Sequence, residues 1–137
     1  MNSERVKLPK TVLFDTNFLL APHRFHVDIF SETEAALQEK VEFAVTSTVL
    51  DEIDKLIDEA NPKFRKELRL AKTLAKQCKI IDVELFPGES VDDSLVRVAK
   101  ENDFIVATSD IRLRRRLRSE GVGSLALRQR RYIEFLR

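Results

Sequence analysis

The sequence predicts an α/β domain whose mostly parallel sheet is covered by helices on both sides. Three observations carry this. Short apolar runs alternate with amphipathic helical stretches along the chain. No repeat, low-complexity tract or linker breaks that alternation, which implies right-handed crossovers between parallel strands. The chain has 137 residues and is 43% hydrophobic, enough for one core but not for two comfortable ones.

The elements follow in order. Residues 1–10 are polar and read as a flexible lead-in to a single domain spanning 1–137. Strands are expected at Thr11–Asp15, Val41–Thr46, Lys79–Val83, Asp103–Ala107 and Ser124–Leu127. Helices are expected near Val27–Glu39, Thr48–Ala60, Pro62–Gln77, Asp92–Glu101 and Ile111–Ser119. Asn61 before Pro62 reads as an N-cap and first helical position. Ser90 and Asp93 have capping-box spacing. Gly121 follows an arginine-rich last turn, as a helix C-terminus prefers.

Composition narrows the class. Charged residues make up 34% of the chain, above the usual quarter. Cys78 is the only cysteine, so no intrachain disulfide forms, and it reads as a small buried hydrophobe. No apolar run reaches membrane-spanning length, and Met1–Lys10 is too polar for a signal peptide, so a cytoplasmic protein without a membrane partner is expected. Net charge is +1, but Asp110–Arg137 holds nine arginines against three acids, which is +6. That basic end suits a polyanionic partner.

In "VLFDTNFLL", Asp15 ends an otherwise apolar strand, where a charge is costly unless paired or holding a metal. Glu52 falls early in the helix after the second strand. Asp92 and Asp93 start the helix before the fourth strand, and Asp110 starts the helix after it. Each of the last three has a capping explanation; Asp15 does not. Carboxylates converging on one sheet edge repel, and a divalent cation relieves the conflict. Hard oxygen donors select Mg²⁺ or Mn²⁺ over zinc. Such an ion suits phosphodiester hydrolysis.

Asp15 in "DTNFLL", Glu52 in "VLDEIDKL", the "VDD" pair and Asp110 in "IVATSD" resemble, in order, the acidic motifs of PIN-domain nucleases. The resemblance runs from about Thr11 to the C-terminus. "VDDSLVRVAKENDFIVATSDIRLRRRLRS" looks most like the branch containing the small-subunit processome endonuclease and its archaeal relatives. It implies a three-layer α/β/α sandwich around a mostly parallel sheet of four to five strands. It also implies metal-dependent cleavage of single-stranded RNA. Asp15, Asp92 or Asp93, and Asp110 would then be metal ligands, Glu52 would join them in catalysis, and Asn17 and Ser109 would orient the site. Ribosomal RNA processing is the role implied most closely, with ribosome-assembly factors as partners. A toxin paired with an antitoxin competes, and homodimers are common in the family.

Arg112, Arg114, Arg115, Arg116 and Arg118 share one expected helix beside the acidic turn and are candidates for RNA contact. Arg65, Arg69, Lys72 and Lys76 form a second stripe, an RNA track or an ordinary charged helix face. Tyr132 suits a packed aromatic better than a base-stacking platform. His23 and His26 lack the further ligands a metal site needs. Three other classes compete less well. An RNA-binding module with weak catalysis would favour an incomplete acidic set. A receiver domain needs a mid-chain strand-end aspartate and a late lysine. A dinucleotide-binding fold needs a glycine-rich loop after the first strand.

Overall fold

The computed structural model describes residues 8–137, so the expected lead-in lies mostly outside the described residues. Lys10 already belongs to the first strand. The element order is β1 (Lys10–Phe14), α1 (Thr16–Phe25), α2 (Ile29–Leu37), β2 (Val41–Thr46), α3 (Ser47–Glu59), α4 (Pro62–Ala75), β3 (Lys79–Ile81), α5 (Val91–Asn102), β4 (Ile105–Ala107), α6 (Ile111–Ser119), β5 (Ser124–Arg128) and β6 (Tyr132–Leu136). Among the described residues, six helices flank one six-stranded sheet of order β3-β2-β1-β4-β5-β6. All pairings are parallel except β5 with β6.

The α/β class and parallel sheet are as expected, but the strand count of four to five is corrected to six. The additional strand, β6, returns antiparallel to β5 through Gln129 and Arg130, both in left-handed backbone. A second correction is α1, where no helix was expected. Its first turn begins immediately after Asp15, and Pro22 sits inside it, where helices are usually broken. The strand expected from Asp103 starts at Ile105, because Asp103 is the left-handed C-cap of α5.

The core explains why these elements hold together. Val12, Leu13 and Phe14 of β1 are fully buried, as a central parallel strand requires. Phe14 stacks on Phe18 and Phe43, and Phe30 meets Phe43 edge-on at 4.9 Å. Cys78 is buried, and burial pushes its thiol up to about 11. Not every aromatic is inside: Phe86 and Tyr132 are exposed, the latter against expectation. Among the described residues no helix is long and apolar enough to cross a membrane.

The topology fixes where a ligand site belongs. From β1 the chain moves outward through β2 and β3, then returns to the other side of β1 with β4. β1 and β4 therefore flank the switch point, outside whose carboxyl ends sheets of this kind form their ligand crevice.

Candidate active site

Asp15 stands at that switch point. Its amide donates to Ala107 O at 3.2 Å, extending the β1–β4 pairing by one residue. Against expectation Asp15 is also a helix cap: its side chain is the N-cap of α1, which begins directly after the strand, with Oδ1 accepting from Phe18 N at 2.7 Å. The buried Phe18, Leu19 and Leu20 are the apolar face of α1, so packing of the helix locks the carboxylate in place. Burial pushes Asp15 up to about 7, against hydrogen bonds from Thr108 and Phe18 and with the repulsion of Asp92 and Asp110 added. A carboxyl group so displaced, set in a crevice beside like charges, has the physical character of a functional group.

Asp110 lies across the crevice as the N-cap of α6, with Oδ1 accepting from Arg112 N at 2.9 Å and Leu113 N at 3.3 Å. The preceding Thr108 is wholly buried and accepts from the Asp110 amide at 3.0 Å while its side chain bonds Asp15. One hydroxyl thus links the Asp15 carboxylate to the backbone of Asp110.

The "VDD" pair splits. Asp93 completes the capping box of α5, with Oδ2 accepting from Ser90 N at 2.8 Å, and its Oδ1 is held by Arg116 of α6. These bonds hold its carboxyl below the usual range. Asp92 points elsewhere. It is open to solvent but set in packed surroundings whose desolvation raises its pKa, and the charges of Asp110 and Glu52 raise it further. Electrostatically, Asp92 belongs with Asp15 and Asp110; Asp93 belongs with the α5–α6 contact.

Glu52, half-buried on α3, accepts from Thr16 Oγ1 at 2.6 Å. A buried chain of hydroxyls ties this side of the crevice to α5. Thr46 Oγ1 meets Thr48 Oγ1 at 2.7 Å, Thr48 Oγ1 meets Ser94 Oγ at 3.1 Å, and Ser94 Oγ donates to Val91 O at 2.6 Å. From the loop side, Arg97 clasps Glu89 and lies over the Phe86 ring at 3.8 Å, bracing the lead-in to α5.

Asn17 and Ser109 are both exposed. The hydroxyls that touch the site carboxylates are instead those of Thr16 and Thr108, which sequence reasoning passed over. Their signal was available: "FDT" and "VATSD" each set a threonine at the carboxyl end of a buried strand, close to the acid.

Among the described residues, no group of three or more His, Cys, Asp and Glu side chains is arranged to enclose a metal ion as it stands. Asp15, Asp92 and Asp110 nevertheless repel one another and offer only carboxylate oxygens. Oxygen ligands of that kind suit a hard divalent cation, which takes few protein ligands directly.

The arginines of α6 divide by face. Arg112, Arg115, Arg116 and Arg118 are exposed, Arg114 is half-buried, and Arg116 is engaged with Asp93. In the second stripe, Arg65 donates to the carbonyls of Ile57 and Ala60, and Lys72 pairs with Asp54 at 2.6 Å. Those two residues fasten α4 to α3, leaving Arg69 and Lys76 as the exposed members.

A family profile described as a PIN-like domain matches residues 12–130. Ribonuclease VapC4 of Methanocaldococcus jannaschii is 30% identical over 123 residues, which is 88% of this chain and 92% of that protein. The rRNA-processing protein FCF1 of Saccharomyces cerevisiae is 34% identical over 117 residues, 85% of this chain but only 58% of that protein. This chain therefore spans little more than half the length of its yeast relative. The solved structure of the PIN domain endonuclease Utp24 matches with a TM-score of 0.76 at 25% identity, covering 94% of this chain and 92% of that one.

Proposed function

The chain belongs to the PIN-like domain family, and from that premise we propose that it is a divalent-metal-dependent endoribonuclease acting on single-stranded RNA. The observation that carries this is the buried Asp15 carboxylate at the β1–β4 switch point, facing Asp92 and Asp110. Asp15, Asp92 and Asp110 would hold Mg²⁺ or Mn²⁺. Such an ion supplies Lewis-acid activation of water and stabilisation of the leaving oxygen in phosphodiester hydrolysis. Glu52, fixed by Thr16, shares the charge of the crevice from α3. Thr108 links the Asp15 carboxylate to the backbone of Asp110, while Asp93 and Arg116 hold α5 against α6.

Two biological roles draw support from different relatives. Ribosomal RNA processing, with assembly factors as partners, is supported by the yeast relative's stated role and by the similarity to the Utp24 endonuclease domain. A toxin role with an antitoxin partner is supported by VapC4, whose length this chain almost fully spans. We favour ribosomal RNA processing in the cytoplasm; an antitoxin gene adjacent to this one would reverse that preference.

The deciding experiment incubates single-stranded RNA with the protein in Mn²⁺, in Mg²⁺ and in chelator. Cleavage in metal, loss in chelator and loss in Asp15→Asn are expected. An Asp15→Asn protein that cuts as fast as the parent removes the site assignment. RNA binding without cleavage in saturating Mn²⁺ supports the binding-module alternative instead.

A further inference from the structure

A second concentration of charge lies beside α6, on the side facing the β5–β6 hairpin. There a cleft of about 270 Å³ is lined by five arginines, Arg114, Arg115, Arg118, Arg128 and Arg137, with Ser124 and the apolar Ile111 and Leu136, and among the described residues by no acid. Arg114 and Arg118 are one helical turn apart, so they share a face of α6, opposite the use made of Arg116. Glu134 pairs with Arg128 at 3.0 Å from outside the lining.

Arg114 is the informative member. Its Nε is shut off from solvent and has no hydrogen-bond partner among the described residues. Burial above all, and the neighbouring Arg128, lower its pKa, while Asp110 and Glu134 act the other way. A cationic donor left unsatisfied beside a like charge is costly, and native structures keep few such groups without a reason. An anion entering the cleft does not reach the sealed Nε; it meets the outer guanidinium nitrogens of the lining arginines, whose forks match several acceptor oxygens in geometry and charge.

We propose that this cleft binds a phosphodiester of a single-stranded RNA, holding the strand one to two turns of α6 from the acidic crevice. Asp110 caps α6, so Arg114 and Arg118 stand roughly 6 and 12 Å along the helix from the crevice edge, at about 1.5 Å per residue. A phosphate held there tethers the strand on the arginine side while the crevice engages another part of it. The proposal rests on the ribonuclease reading and names how its substrate is gripped.

The test measures binding of a labelled single-stranded RNA in chelator, across a salt series, for the parent, Arg114→Gln/Arg118→Gln and Arg118→Gln/Arg128→Gln. Lys66→Gln, at an exposed lysine of α4 outside both arginine groups, is the single-charge control. We expect about tenfold weaker binding for each pair. The log–log salt slope should become shallower by about 0.7 for every phosphate the variant no longer neutralises. Lys66→Gln should bind like the parent. A parent-like affinity and slope for both pairs overturns the proposal, as does a parent protein that binds no RNA. The Arg114 Nε–H resonance of the intact parent gives an independent reading. It should move on adding RNA; movement with inorganic phosphate alone marks a small-anion site and overturns the strand-binding claim. Cleavage in Mn²⁺ separates the two ideas. No cleavage by the parent, with binding abolished in the pairs, removes the nuclease and leaves the cleft. Cleavage with parent-like binding in the pairs does the reverse.

Discussion

At the scale of single residues, Asp15 concentrates the conflict between folding and chemistry. Its carboxyl titrates near 7 in the folded chain against an ordinary 3.8. The folded state therefore holds this proton more tightly than the unfolded state does. Asp15's contribution to stability is fully present below pH about 4 and is lost as pH rises through about 7, an effect on the order of 4 kcal/mol. Asp15→Asn, which removes the charge but keeps the shape, should melt higher than the parent at pH 8 without divalent cation. The difference should close towards pH 4, and melting curves across that range check it. Thr108→Val tests the opposite sense. Losing a hydroxyl that bonds Asp15 and the Asp110 amide should cost about 1–3 kcal/mol. Because the Thr108 bond lowers the Asp15 pKa, its loss should also displace the acid limb of the pH–rate profile upward. A profile that stays in place would show that Thr108 only supports the fold.

At the scale of elements, α5 shows how adjacent acids come to differ. Consecutive helical residues point about 100° apart, so one side chain turns back to cap the helix and the other turns to the crevice. Asp93→Ala should cost about 1 kcal/mol through the lost cap while leaving RNA cleavage within a few-fold of the parent. Asp92→Ala should abolish cleavage with little change in melting. Equal reductions of activity in both variants would contradict the division. The same geometry explains what the sequence could not disclose. Spacing brought the "VDD" pair to the right helix start but left open which acid faces the crevice, since that depends on how α5 is docked against α3 and α6. The parallel strands were legible because each is a short apolar run. β6 was not, because Gln129 and Arg130 carry the turn in left-handed backbone without the glycine or asparagine that normally marks a hairpin. α1 was hidden by its brevity and by Pro22, although its cap, Asp15, is the acid that stands out most in the sequence.

At the scale of the whole molecule, one helix joins two sites of opposite charge, since α6 is capped at the acidic crevice and lines the arginine cleft. A cation that binds only the folded chain stabilises it by mass action, about 2.7 kcal/mol at a hundredfold excess over its Kd. Saturating Mn²⁺ should therefore raise the parent's melting temperature at pH 7 and leave that of Asp15→Asn nearly unchanged. Equal shifts in both proteins would place the ion elsewhere.

The antiparallel return of β6 has a consequence for the order of folding. α2 packs against β6, yet about ninety-five residues separate Leu37 from Tyr132. Closing so long a loop is slow, and its entropy is spent before the two elements meet. During synthesis α2 therefore waits, with one face uncovered, until nearly all of the described chain has emerged. The arginine cleft needs the same hairpin, so a half-made chain carries its acidic residues but has no finished place to grip a strand.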